Sequence, residues 1–266
     1  MNEGLPRAPS PPVGEGWGEG DLQVKNALLL DNIAIVLVDT RYPANIGSTA
    51  RCMMNMGISR LVLVAPPEDK NHEMEKLAAG ADRIVQEASV AATLAEAVVG
   101  HNLVIGTSRH SGRLRKNVHA PREMAAQVVP LLAGNKVAIV FGNEVNGLDN
   151  RDLALCHEII AIPSSDAFPS LNLSHAVMVV TYELFLASQA GTPSFSRELA
   201  RAEDLEKLYR HLQDTLLAIG FLEQDHPERM MFTFRQLFGR AHLEGREVSI
   251  LRGVLTAVDR MREGGK

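Results

Sequence analysis

Three short segments of this chain carry residues whose types and spacing can do chemistry. In Asn45-Ile46-Gly47-Ser48-Thr49-Ala50-Arg51 an asparagine at the start of a helical run stands six residues before an arginine flanked by Ala50, Cys52, Met53 and Met54. Asn45 can cap that helix. Arg51 sits in an apolar stretch, where it is either a snorkelling surface side chain or a charge held for an anionic partner. In Phe141-Gly142-Asn143-Glu144-Val145-Asn146-Gly147-Leu148, two glycines bracket Asn143 and Glu144. The glycine spacing is that of a triphosphate-binding loop, but Leu148 and Asp149 stand where Lys and Ser/Thr would be needed, so a triphosphate cradle is disfavoured. Either a structural turn or a ligand loop accounts for it. In Ile162-Pro163-Ser164-Ser165-Asp166-Ala167-Phe168-Pro169-Ser170-Leu171-Asn172-Leu173-Ser174, a polar loop with two prolines leads to a long apolar helix that Ser170 or Asn172 can cap.

The elements that must position these segments are visible as periodicity. Continuous apolar runs at Ile33–Val38, Leu61–Val64, Leu103–Ile105, Val137–Phe141 and Ile159–Ile162 read as parallel strands covered on both faces. Helical stretches at Ile46–Met56, Ala92–Val99 and Pro121–Ala133 end at Gly57, Gly100 and Gly134, each placed for a left-handed cap. Asn172 to about Ser188 supplies a last helix. Strand–helix–strand repeats make an α/β parallel sheet, and such sheets bind ligands at the carboxyl ends of their strands. That is where the second and third segments fall.

The sequence divides into a Pro/Gly-rich tail at 1–26, unable to bury enough apolar area to order itself, an α/β domain at 27–190, and a helical appendage at 191–266. The appendage begins with a Gly/Pro/Ser linker at 191–196 and continues as helical stretches at 198–220, 230–238 and 248–261. Its 12 basic and 12 acidic side chains balance, although Arg229, Arg235, Arg240 and Arg246 can gather into a strip.

With 266 residues, 45% apolar, 22% charged and 5% aromatic, the composition is that of a globular protein and excludes collagen-like, coiled-coil and wholly disordered classes. The net charge of −5 excludes a basic surface throughout, so contact with nucleic acid requires a local patch. One exists: no acidic residue occurs between Glu96 and Glu123, whereas Arg109, Arg113, Arg115, Lys116 and Arg122 do. Such a run contacts phosphates or is merely solvated. Cys52 and Cys156 make neither a disulfide scaffold nor a zinc cluster, and no metal site is expected. Apolar runs fall far short of the ~20 residues that span a bilayer, and the expectation is a soluble, cytoplasmic protein with no membrane partner.

Taken in order, Asn-x-Gly-x-x-x-Arg, Phe-Gly-Asn-Glu-x-x-Gly-Leu and Ser-Leu-Asn-Leu-Ser resemble the motifs of the SPOUT superfamily of RNA methyltransferases, in its SpoU/TrmH branch, over about Asn32–Gln189. The appendage segments Asp204–Tyr209, Leu216–Phe221 and Ile250–Gly253 are similar to the C-terminal region of a tRNA ribose 2′-O-methyltransferase group within that branch. The resemblance implies a parallel sheet with a deep trefoil knot near its C-terminal end, a homodimer, S-adenosylmethionine as methyl donor, and tRNA as substrate, modified at nucleotide 32 of the anticodon loop. Modification of rRNA, or a knotted RNA-binding protein without turnover, are the alternatives.

By the same resemblance, Thr107, Ser108, Arg109, Gly142, Ile162, Pro169, Ser170 and Leu171 match cofactor-contacting positions. Asn143 and Glu144 adjoin them, the carboxylate either facing the sulfonium charge or tying loops together. Arg51, Asn45, Ser170 and Asn172 match catalytic positions, while Arg113, Arg115 and Lys116 are candidate RNA contacts. The implied reaction is an in-line attack of a ribose 2′ oxygen on the methyl carbon. A guanidinium stays protonated in proteins, which suits Arg51 to clamp a phosphate or nascent alkoxide rather than to act as base.

Overall fold

The computed structural model describes residues 29–67, 72–109, 117–190 and 197–264. The tail, the linker and the greater part of the basic run, including Arg113, Arg115 and Lys116, lie outside the described residues. Seven parallel strands, β1 (Ile33–Val38), β2 (Arg60–Val64), β3 (Ser89–Ala91), β4 (Leu103–Thr107), β5 (Val118–His119), β6 (Val137–Phe141) and β7 (Glu158–Ile160), form one sheet in the order β3-β2-β1-β6-β4-β7-β5. Alternate residues of each central strand serve different faces. Ile33, Ile35 and Leu37 of β1 join Val137, Ile139 and Phe141 of β6 in one core, while Val36, Val140 and Ala138 enter the other.

Helices α1 (Pro43–Asn55), α2 (His72–Ala78), α3 (Asp82–Gln86), α5 (Pro121–Val128) and α7 (Leu173–Gln189) lie on the first face. The one-turn α4 (Leu94–Ala97) and α6 (Asn150–Leu155) lie on the second. The appendage consists of α8 (Ala202–Ala218), α9 (Pro227–Ala241) and α10 (Gly245–Gly264), packed around Leu205, Leu208, Tyr209, Met231 and Leu255.

Several local expectations are corrected. The stretch 92–99 yields only α4, because Thr93 Oγ1 accepts from Glu96 N while the Glu96 carboxylate accepts from Ala92 N, which starts the helix two residues late. The stretch 121–133 is helical to Val128 and then tightens to a 3₁₀ turn over Val129–Leu131, at a proline that has no N–H to donate. Gly57 and Gly100 are left-handed at φ 70° and 80°, but Gly134 is not. β7 begins at Glu158 and stops at Ile160. Among the described residues no helix is long and apolar enough to cross a membrane, and no group of three or more His, Cys, Asp or Glu is placed to hold a metal ion.

Candidate active site

The exits of β4, β6 and β7 meet in one cleft at the carboxyl edge of the sheet. Thr107, Ser108 and Arg109 form one wall, Gly142, Asn143 and Glu144 a second, and Ile162, Pro169, Ser170 and Leu171 a third. The free space between these walls, counted out to open solvent, is about 870 Å³. All ten residues matched or adjoined to cofactor positions thus share one hollow. Residues missed by the sequence reading are Phe141, Leu148, Ile160, Leu173 and Ala176, which supply its apolar surface, and Val145, Asn146 and Gly147. Those last three lay inside the recognised glycine loop. Ala176 carried no signal, because one small residue in an apolar helix is indistinguishable from packing.

The walls are held by local bonds. Thr107 Oγ1 donates to Val140 O at 3.0 Å and Ser108 N to Ile160 O at 3.0 Å, joining β4 to both neighbours. The 142–147 loop folds back on itself, with Asn143 Oδ1 accepting from Val145 N (3.1 Å) and Asn146 N (2.8 Å). A Cβ on Gly142 would stand 2.1 Å from the Gly147 carbonyl carbon, so only glycine permits this approach. Asp149, where a triphosphate loop would need Ser or Thr, caps α6 by accepting from Arg151 N and Asp152 N.

Behind the cleft a chain of side-chain hydrogen bonds joins all three sequence segments. The two Glu144 oxygens accept from Arg41 N at 3.0 Å and Asn45 Nδ2 at 2.6 Å. Asn45 Oδ1 accepts from Asn172 Nδ2 at 3.1 Å, and Asn172 Oδ1 accepts from Ser174 N and Ser174 Oγ, both at 2.8 Å. The orientations of both amides follow from chemistry: a carboxylate demands the NH₂ of Asn45, and a helix N-terminus demands the oxygen of Asn172. Glu144 therefore ties loops together. Asn45 does not cap α1, whose N-cap is Tyr42 with Pro43 following. It is a buried residue of the first turn, turned toward Glu144. Asn172, rather than Ser170, caps α7.

Arg51 is exposed, with no hydrogen-bond or ion-pair partner found among the described residues, and does not line the cleft. It lies about 9 Å along α1 and about 120° around it from Asn45. Ser170 does line the cleft and is exposed. Cys52 donates its S–H to Ser174 O at 3.5 Å, and burial pushes its thiol up, the Arg51 charge opposing only in part. That is a packing thiol, not an activated nucleophile. His175 is exposed. The appendage arginines do not form one free strip either, since Arg235 is forked onto Glu206 and lies 4.4 Å over the Tyr209 ring.

This sheet order, with its ligand cleft at the exits of β4, β6 and β7, defines a SPOUT-type α/β protein carrying a helical appendage. Residues 32–182 match the SpoU rRNA Methylase family, and residues 203–266 match the C-terminal domain of the tRNA methyltransferase TrmJ. The chain belongs to the SpoU methylase family. It is 41% identical over 244 residues to the tRNA (cytidine/uridine-2′-O-)-methyltransferase TrmJ of Escherichia coli O6:K15:H31, a match covering 90% of this chain and 99% of the relative. The crystal structure of TrmJ from Z. mobilis ZM4 superimposes with a TM-score of 0.73 at 34% identity, covering 85% of this chain and 98% of that one. A probable methylase family protein from Haemophilus influenzae Rd KW20 gives a TM-score of 0.58 at 36% identity, covering 89% and 100%.

Proposed function

We propose that the protein transfers a methyl group from S-adenosylmethionine to a ribose 2′ oxygen of tRNA, at nucleotide 32 of the anticodon loop. The observation that carries this reading is the Glu144–Asn45–Asn172 chain, which fastens three sequence-distant segments around one cleft. The match of the appendage to the TrmJ C-terminal domain favours tRNA over rRNA, as does the name of the 41% identical relative.

The residues present fit the donor. A glycine that no Cβ could replace brings backbone groups of 142–147 to the cleft. Phe141, Leu148, Ile160 and Leu173 give apolar surface for a neutral ring, and Glu144 supplies a negative wall. The donor contributes an electrophilic methyl carbon on a cationic sulfur. The chain's own part is positioning. Ser170 directs the ribose into the cleft, and the Asn45–Asn172 pair fixes the loop that carries Ser170. Holding the reacting oxygen in line lowers the barrier by converting a bimolecular encounter into an oriented one. Arg51, permanently charged, steadies the target phosphate or the developing alkoxide, and the proton leaves to that phosphate or to water.

Because Arg51 does not reach the cleft of its own chain, we read the working form as a homodimer in which α1 and α7 face a second copy. Val179, Tyr182 and Leu186 form an exposed stripe on α7, and Tyr42 and Met54 are exposed at the two ends of α1. We likewise infer the family's trefoil knot near the C-terminal end of the sheet, and a cytoplasmic protein working where tRNA is modified.

The test is incubation of the protein and its Arg51→Ala variant with labelled S-adenosylmethionine and unmodified tRNA, followed by mapping of the ribose label. Label at one anticodon-loop ribose and turnover lost at least a hundredfold in the variant, with donor affinity retained, is the expected result. Equal turnover by parent and variant removes Arg51 from the mechanism, and absence of label from the parent removes the activity.

A further inference from the structure

The strap between β1 and α1, Asp39 to Tyr42, is held against the cleft wall in a costly shape. Asp39 is left-handed at φ 50°, a conformation that residues other than glycine adopt at the expense of backbone strain and keep only where the surroundings enforce it. Three bonds enforce it here. Asp39 N donates to Val64 O at 2.9 Å, Asp39 Oδ2 accepts from Asn143 Nδ2 at 2.9 Å, and Arg41 N donates to the Glu144 carboxylate at 3.0 Å. Asn143 and Glu144 both line the cleft, so the strap is fastened to its glycine loop and borders the hollow.

The two residues that the strap displays make no side-chain bond that supports the fold. Tyr42 is the N-cap of α1, a position that favours Ser, Thr, Asp or Asn, yet its side chain makes no capping bond and the residue is 57% exposed. Arg41 is exposed, and its guanidinium has no partner among the described residues. The carboxylates of Asp39 and Glu144 are engaged instead with Asn143 and Asn45. An exposed ring beside an unpaired guanidinium suits single-stranded RNA, since the ring stacks on an unpaired base of any sequence and the guanidinium forks onto a phosphate. A nucleotide whose ribose enters the cleft brings its own phosphates and the adjoining base to this rim. We propose that the strap Asp39–Tyr42 is the element of the cleft that reads the RNA strand, Tyr42 stacking on a base next to the methylated ribose and Arg41 holding a phosphate beside it. Asp39 is a positioning residue, acting through the shape it gives the strap. This inference deepens the reading of the protein as a tRNA methyltransferase and rests on it.

The full-length protein and its Tyr42→Ala, Tyr42→Phe and Arg41→Ala variants are compared for tRNA dissociation constant over a range of salt, donor dissociation constant, methyl transfer and sedimentation mass. Tyr42→Ala is expected to weaken tRNA binding at least roughly fivefold, the loss of one stacked base, while Tyr42→Phe, which keeps the ring, stays within about twofold of the parent. Arg41→Ala weakens tRNA binding and makes the plot of log affinity against log salt shallower by roughly 0.7, the change for one phosphate contact on a single strand. Donor affinity and mass match the parent in all three. Parental tRNA affinity in either alanine variant, with the parent methylating tRNA, overturns the strap's role and leaves the activity standing. Tyr42→Phe as weak as Tyr42→Ala also overturns it, because the hydroxyl and not the ring would then make the contact. A Tyr42→Ala variant that sediments at a lower mass than the parent assigns the ring to contact between copies and overturns it as well. A parent that neither binds nor methylates tRNA overturns the underlying reading, and the strap's role with it.

Discussion

Asn45 Nδ2 lies 2.6 Å from Glu144 Oε1 across 99 residues of sequence, and that bond fixes which end of the Asn45 amide faces Asn172. Glu144→Gln offers one acceptor where two donors converge, Arg41 N being the other. Hydrogen bonds to a charged acceptor contribute about 1.5–3 kcal/mol each. The variant is expected to lose about 1–2 kcal/mol of unfolding free energy, with turnover reduced at least tenfold. Denaturant titration and a methyl-transfer assay check the two separately, and a variant with both at parental values contradicts the role given to Glu144.

Asn172 does two jobs that substitution can separate. Its Oδ1 caps α7 and its Nδ2 holds Asn45. Asp is as good an N-cap as Asn, whereas Ala costs about 1 kcal/mol. Asn172→Asp is therefore expected to retain the greater part of its thermal stability yet lose turnover, because a carboxylate oxygen would face Asn45 Oδ1. Asn172→Ala loses both. Equal turnover by Asn172→Asp and the parent would show that only the cap matters.

Gly142 and Gly147 test the cleft wall by contrast. A methyl on Gly142 meets the Gly147 carbonyl carbon at 2.1 Å and Leu148 N at 2.2 Å, while on Gly147 it meets nothing within 4 Å and suffers only its φ of 70°. Gly142→Ala should cost about 1–3 kcal/mol or more through overpacking and weaken donor binding at least tenfold. Gly147→Ala should cost about 1–2 kcal/mol through backbone strain and change donor binding less. Calorimetric titration with S-adenosylmethionine decides, and the reverse order of effects would refute the wall geometry.

His157 makes stability depend on acid. Burial lowers its pKa from 6.5 to about 4, and its Nδ1 accepts from Val104 N, a bond that the protonated ring cannot accept. The folded-state value is depressed, so the unfolded chain takes up the proton first. No penalty exists above pH 6.5; stability falls between 6.5 and about 4 and then levels. At pH 5 this one group is expected to remove about 2 kcal/mol. Urea unfolding at pH 7.5 and pH 5 measures it, and His157→Gln should flatten the difference. A His157→Gln profile as steep as the parent's would assign the acid sensitivity elsewhere.

Where the sequence reading failed, the cause was a local capping bond, an element too short to show a period, or an interaction between distant residues. Thr93 and Glu96 are local, and their capping bonds start at Leu94 a helix that hydrophobic periodicity begins at Ala92. β5 and β3 are two and three residues long, below the length at which periodicity means anything. Arg51 was placed correctly on a helix, but its direction depends on how α1 rolls against α7 and the sheet.

From the residues alone came β1, β2, β4, β6 and the apolar run of β7, the long helix beginning at Leu173, the helical appendage and the second and third segments, whose loops line one cleft. Each of these is written in runs of neighbouring residues, where apolar periodicity, glycine and capping preferences act over a few positions. Tertiary structure alone decided that Glu144 holds Asn45, that Asn172 joins them, that Arg51 stands outside its own cleft, and that Glu158 of β7 meets His242 of the appendage. Those outcomes depend on side-chain polar bonds between groups about a hundred residues apart, and such bonds have no period along the chain from which to be read.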